Sequence, residues 1–162
     1  MEFKDTHKRP PRVLHIGNIA NNAYLNAKFL NEAGFDCDVM CYDYYHIMAC
    51  PEWEDAEYQG QIEDQSNPDW TKVDLGAFRR PSWFAQGPLA TCMDYLIARR
   101  EGNADKANIY WHALSVANKT KAEESVEVKS YLAVTPNNRI EKLDEGKFTR
   151  VFELLRALAI DK

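Results

Sequence analysis

The stretch from Arg12 to Tyr42 restricts the fold more than any other part of the chain. RVLHIG (Arg12 to Gly17) is a short apolar run that stops at a glycine, as a buried strand does. NIANN (Asn18 to Asn22) is polar, turn-prone and able to cap a helix. Helix formers follow from Ala23 to Ala33, with Ala23, Ala27 and Leu30 apolar and Tyr24, Leu25 and Phe29 beside them. Gly34 is placed to end that helix. FDCDVMCY (Phe35 to Tyr42) alternates, so Phe35, Cys37, Val39 and Cys41 fall on one side of a second strand. Strand, turn, helix, glycine and strand in this order predict a βαβ unit, whose crossover makes the two strands parallel neighbours. The fold class that follows is α/β, a parallel sheet with flanking helices.

The pattern breaks between Asp43 and Gly87, a stretch rich in aromatics, acids and proline, and the sequence predicts a long aromatic loop there with a short helix over Glu52 to Tyr58. Loops of that length inside a compact domain are often functional, although aromatics can equally anchor irregular chain to a core. Regularity returns at Pro88. Leu89, Cys92, Met93, Leu96 and Ile97 share a helical face that Gly102 closes, and Asn103 can cap a second helix bearing Ala107, Tyr110, Trp111, Leu114 and Ala117. VEVKSYLAV (Val126 to Val134) alternates in part and predicts a third strand, closed by Pro136. Lys147 to Ile160 is amphipathic, with Phe148, Val151, Phe152, Leu155, Leu158 and Ala159 on one face. Residues 1–11 are polar, carry no secretory apolar core, and read as a flexible leader to a single domain over 12–162.

With 162 residues, 45% of them hydrophobic, the chain can bury one core. No apolar run reaches the roughly 20 residues of a membrane span. The net charge of −5 argues against a general nucleic-acid partner, which needs a basic face. Four cysteines without a signal peptide read as reduced thiols of a cytoplasmic protein. Cys41, His46 and Cys50, with Asp43 nearby, match no standard zinc spacing, so no metal is expected. P-loop, H-E-x-x-H, EF-hand and nucleophile-elbow patterns are absent as well.

Two places carry candidate chemistry. The first is the turn Gly17–Asn22. Ligands of open α/β sheets sit beyond the carboxyl ends of the strands, and a helix N-terminus there offers N–H groups to an anion. Gly17 would admit a ligand to the backbone, and Asn18, Asn21 and Asn22 would add side-chain hydrogen bonds; a capped turn without ligand is the plainer reading. The second follows the second strand, DYYHIMACPEWED (Asp43 to Asp55). Asp43 lies near the position of a ribose-binding acid, but the turn lacks G-x-G-x-x-G, which speaks against NAD. His46 has the titration range of a general base, and Glu52, Glu54 and Asp55 suit either a sugar or a solvated helix start. Trp53, Trp70 and Trp83 can stack on sugar rings or anchor a core.

HIGNIANNAYLNAKFLNEAGFDCDV (His15 to Val39), with CYDYYHIMACPEWEDAEY (Cys41 to Tyr58), resembles the opening of bacterial GT-B glycosyltransferases of group 1, or family 4. The likeness continues through PDW (Pro68 to Trp70), RPSWFAQGP (Arg80 to Pro88) and YLIARREG (Tyr95 to Gly102), about the first two-thirds of the chain. It implies a Rossmann-like N-terminal, acceptor-side domain, incomplete as GT-B domains go, serving sugar transfer from a nucleotide-sugar to a glycan or lipid-linked acceptor. Gly17 and Asn18, with Asn21 and Asn22, would then face the donor phosphates. His46, as the catalytic candidate, and Tyr45, Glu52, Trp53 and Trp83 would lie towards the acceptor. The resemblance implies no metal and no cofactor beyond the nucleotide-sugar co-substrate. It also implies contact with the inner face of a membrane. A second Rossmann-like domain with paired glutamates is not seen in this sequence, so a partner chain carrying it is expected, and little transferase activity without it. The alternatives are a non-catalytic carbohydrate-binding or protein-interaction module, and a flavodoxin-like or other nucleotide-binding domain.

Overall fold

The computed structural model describes residues 2–42 and 49–128. Residues 2–7 of the leader form a short helix, α1 (Glu2–His7). Then come β1 (Arg12–Ile16), α2 (Asn22–Glu32), β2 (Asp36–Tyr42), the one-turn α3 (Glu52–Asp55), β3 (Phe84–Gly87), α4 (Leu89–Arg100) and α5 (Ala104–Ala117). The three strands form a sheet in the order β1-β2-β3. Both pairings are parallel, with Val13 opposite Cys37 and Val39 opposite Phe84. The βαβ unit expected from Arg12 to Tyr42 is therefore present.

β3 lies inside the segment read from sequence as loop. Its four residues, FAQG, are too few to display a period, and their strand character comes from pairing with β2. Val39 N–H donates to Trp83 O just before β3 begins. Of the third strand expected over Val126 to Val134, residues 126–128 are irregular chain. Residues 129–134, and the amphipathic stretch Lys147 to Ile160, lie outside the described residues.

Helices cover both faces of the sheet. On one face Ala23, Tyr24 and Ala27 of α2 pack with Cys37, Val39, Cys41 and Phe84. On the other, Met40 and Ala85 meet Cys92, Met93, Leu96, Trp111 and Leu114 of α4 and α5. The alternation read in β2 is correct for the first face, but its second face is no more exposed than the first. Asp36 and Asp38 are buried there against the end of α4. Arg99 Nη1 donates to Asp38, Arg100 Nε donates to Asp38 Oδ2 at 2.7 Å, and Arg100 also reaches Asp36. Desolvation works against the Arg100 charge, and the two aspartates outweigh it, holding the guanidinium's pKa above its usual range.

The predicted stops and caps act locally as expected. Gly34 (φ 83°) follows the end of α2 and Gly102 (φ 74°) follows α4, both left-handed as helix ends favour. Asn103 accepts Lys106 N–H at 3.1 Å and caps α5. Among the described residues no helix is long and apolar enough to cross a membrane.

Candidate functional site

The turn from Gly17 to Asn22 leaves the carboxyl end of β1 and enters α2. Gly17 has φ 86°, and its N–H donates to Met40 O at 2.8 Å, which keeps it in register with β2. A Cβ built on Gly17 would meet nothing within 4 Å, so the backbone angle rather than crowding favours glycine here. Ala20 (φ 50°) and Asn21 (φ 54°) are left-handed too. For alanine that conformation costs about 1 kcal/mol or more, and Ala20 is exposed, so nothing packed around its side chain requires it.

Two asparagines hold this turn in place. Asn18 is buried; its Nδ2 donates to Asn21 Oδ1 (3.0 Å) and Ala49 O (3.1 Å), and its Oδ1 accepts Tyr24 N–H (3.0 Å). Asn21, also buried, donates to Cys50 O (2.9 Å) and Glu54 Oε1 (3.2 Å). Their side chains thus join the turn to the segment after β2. Of the three asparagines expected to contact a donor, only Asn22 is exposed, and its Oδ1 accepts Asn26 Nδ2 at 2.7 Å. Ile16 and Ile19, 55% and 72% exposed, flank the turn and leave an apolar rim beside it.

The acceptor-side residues are distributed differently from their sequence order. Glu52 is fully buried and binds Arg80 through both oxygens, at 3.0 Å (Nε) and 2.7 Å (Nη2). Arg80 Nη1 also donates to Gln86 Oε1 at 2.7 Å, and Gln86 Nε2 donates to Ala49 O at 3.4 Å. Asp55 accepts Tyr24 O–H (2.5 Å) and pairs with Lys28 Nζ (2.8 Å). Burial first, and then the Asp55 carboxylate, raise the Tyr24 phenol above its usual range. Trp53 is half-buried and meets Trp70 (4.9 Å) and Tyr58 (5.7 Å) edge to face. Trp83 stacks on Tyr24 at 5.2 Å, beneath α2 and apart from the Trp53 cluster. Tyr45 and His46 lie outside the described residues.

Sequence reading missed the Arg80–Gln86 pair, which lies at the carboxyl end of β3 and ties that strand to the loop after β2. RPSWFAQGP was read as part of the family likeness, yet no local pattern showed that Arg80 would meet Glu52, 28 residues earlier. Among the described residues no group of three or more His, Cys, Asp or Glu is arranged to hold a metal.

Fold and turn together define a three-layer α/β unit with a parallel sheet, compatible with a Rossmann-like domain. The chain matches no family model, no curated protein and no solved structure.

Proposed function

We propose that this chain serves as the acceptor-side domain of a GT-B-type glycosyltransferase, in transfer of a sugar from a nucleotide-sugar to a glycan or lipid-linked acceptor. The observation that carries the reading is the Gly17–Asn22 turn. It sits at the carboxyl end of β1, where open α/β sheets meet their ligands. It keeps Ala20 left-handed and exposed, and it is braced from beneath by Asn18 and Asn21. A turn held this way can present main-chain N–H groups at the start of α2 to a pyrophosphate without reorganising as charge develops on the leaving group. The resemblance of His15–Val39 and Cys41–Tyr58 to group 1 glycosyltransferases supports the same reading. In such enzymes most donor contacts belong to a second Rossmann-like domain, carried here by a partner chain or by a further part of the protein. A lipid-linked acceptor would draw the domain to the cytoplasmic face of a membrane.

The test is calorimetry with a panel of nucleotide-sugars against the protein and its Gly17→Val variant. Valine strains the φ of 86° without a clash, so the fold is expected to survive while donor affinity falls about tenfold or more. Donor binding that survives the substitution refutes the anion-site reading. Glycan binding without nucleotide, lost on Trp53→Ala, would favour a carbohydrate-binding module instead; tight flavin or NAD binding would favour another nucleotide-binding domain.

A further inference from the structure

We propose that the cavity between the 66–70 segment and the end of α5 binds an oxyanion, a carboxylate or a phosphate ester, carried by the acceptor. The inference rests on the glycosyltransferase reading only for the identity of the molecule that carries the group. The cavity has a volume of about 40 Å³, and its wall includes Cys50, Asn67, Trp70, Arg80, Gln86 and Lys119. On the scale where one water needs about 10–15 Å³, that is room for roughly three oxygen-sized positions.

Its place in the fold is that of a ligand site. Gln86 lies in β3 at the carboxyl end of the sheet, and Cys50 follows β2. The Cys50 carbonyl is held by Asn21, so the cavity and the Gly17–Asn22 turn lie on either side of one short segment. A donor on the turn and an acceptor group in the cavity would be neighbours.

The lining is rich in hydrogen-bond donors and holds no carboxylate. Trp70 is 1% exposed, and its Nε1–H is buried without a hydrogen-bond partner. A buried donor left in that state is costly unless something occupies the space in front of it. Arg80 is neutralised by Glu52, so the excess positive charge comes from Lys119 at the exposed rim. Burial raises the Cys50 thiol, which therefore adds no negative charge near neutral pH. Lys119 is left-handed (φ 49°), directly after α5, and its charge also helps to lower the Asp69 carboxyl beside it. Asp69 lines the adjoining groove rather than this cavity.

The experiment titrates the ¹⁵N-labelled full chain with glucuronate, glucose 6-phosphate and glucose. It follows the tryptophan indole N–H resonances, with Trp70 assigned by Trp70→Phe. The expected result is that at least one charged sugar moves the Trp70 signal and binds about tenfold or more tightly than glucose. Lys119→Gln, at an exposed position, is expected to weaken that binding about threefold and to reduce its salt dependence. The two charged sugars distinguish a carboxylate from a phosphate source. Equal binding of glucose, a Trp70 signal that stays still, no binding of any of the three, or an unaffected Lys119→Gln protein would each overturn the proposal. Gly17→Val should leave these affinities unchanged. Failure here with intact nucleotide-sugar binding removes this inference alone, and the reverse outcome removes the donor reading alone.

Discussion

Replacing Glu52 by Gln takes one charge out of an ion pair that water does not reach. Glu52 is 0% exposed and Arg80 3%, and two N–H···O contacts at 2.7 and 3.0 Å join them. A glutamine can keep one of those contacts but cannot balance the guanidinium. Breaking a buried pair from one side typically costs about 3–5 kcal/mol, because the remaining charge is stranded. For a chain of 162 residues that corresponds to a fall in Tm of roughly 6–20 °C. The assay is urea unfolding followed by far-UV circular dichroism, with Arg80→Met and the double variant completing a cycle. The double variant is expected to be more stable than Glu52→Gln alone, since an apolar replacement removes the stranded charge. The reasoning fails if Glu52→Gln loses less than about 1 kcal/mol while glycan binding disappears. Glu52 would then act on a ligand rather than on Arg80.

Asp38→Asn should cost about 3–5 kcal/mol by the same physics, since it leaves Arg99 and Arg100 facing each other without a charged partner; a urea midpoint close to that of the parent would contradict the network. Alkali should destabilise the fold through its thiols. Burial first, and then Asp38, push Cys37 up to about 12, and burial pushes Cys41 up to about 11, against an ordinary value of 9.0. Their folded pKa values are raised, so this contribution is complete below pH 9.0 and is lost as pH rises towards 11 and 12. The slope is at most about 1.4 kcal/mol per pH unit for each thiol, and Cys41→Ala should show a shallower decline of urea midpoint between pH 9 and 11. An identical slope in the two proteins would reject this assignment.

Short-range features carried far into the structure. The stop at Gly17, the breaks at Gly34 and Gly102 and the cap at Asn103 depend on backbone angles and on bonds reaching three residues, so neighbours in the chain suffice to set them. The periodicity of Arg12 to Tyr42 likewise implied two parallel strands and an intervening helix, because an apolar face must be covered. The turn was legible as a candidate site for the same reason. The use of its asparagines was not, since their acceptors at Ala49 and Cys50 lie 31 and 29 residues away.

Charge was where local reading ran out. Asp36 and Asp38 alternate with apolar residues as a solvated strand face would, and Glu52 stands in an acidic helix start that invites water. All three are buried, because arginines distant in the chain reach them: Arg99 is 61 residues from Asp38, and Arg80 is 28 from Glu52. FAQG became a strand in the same way, by finding the open edge of β2. An apolar side chain gains by leaving water against almost any partner, so its fate can be read from its neighbours in sequence. A carboxylate can leave water only where a particular cation meets it, and that meeting exists only once the chain has folded.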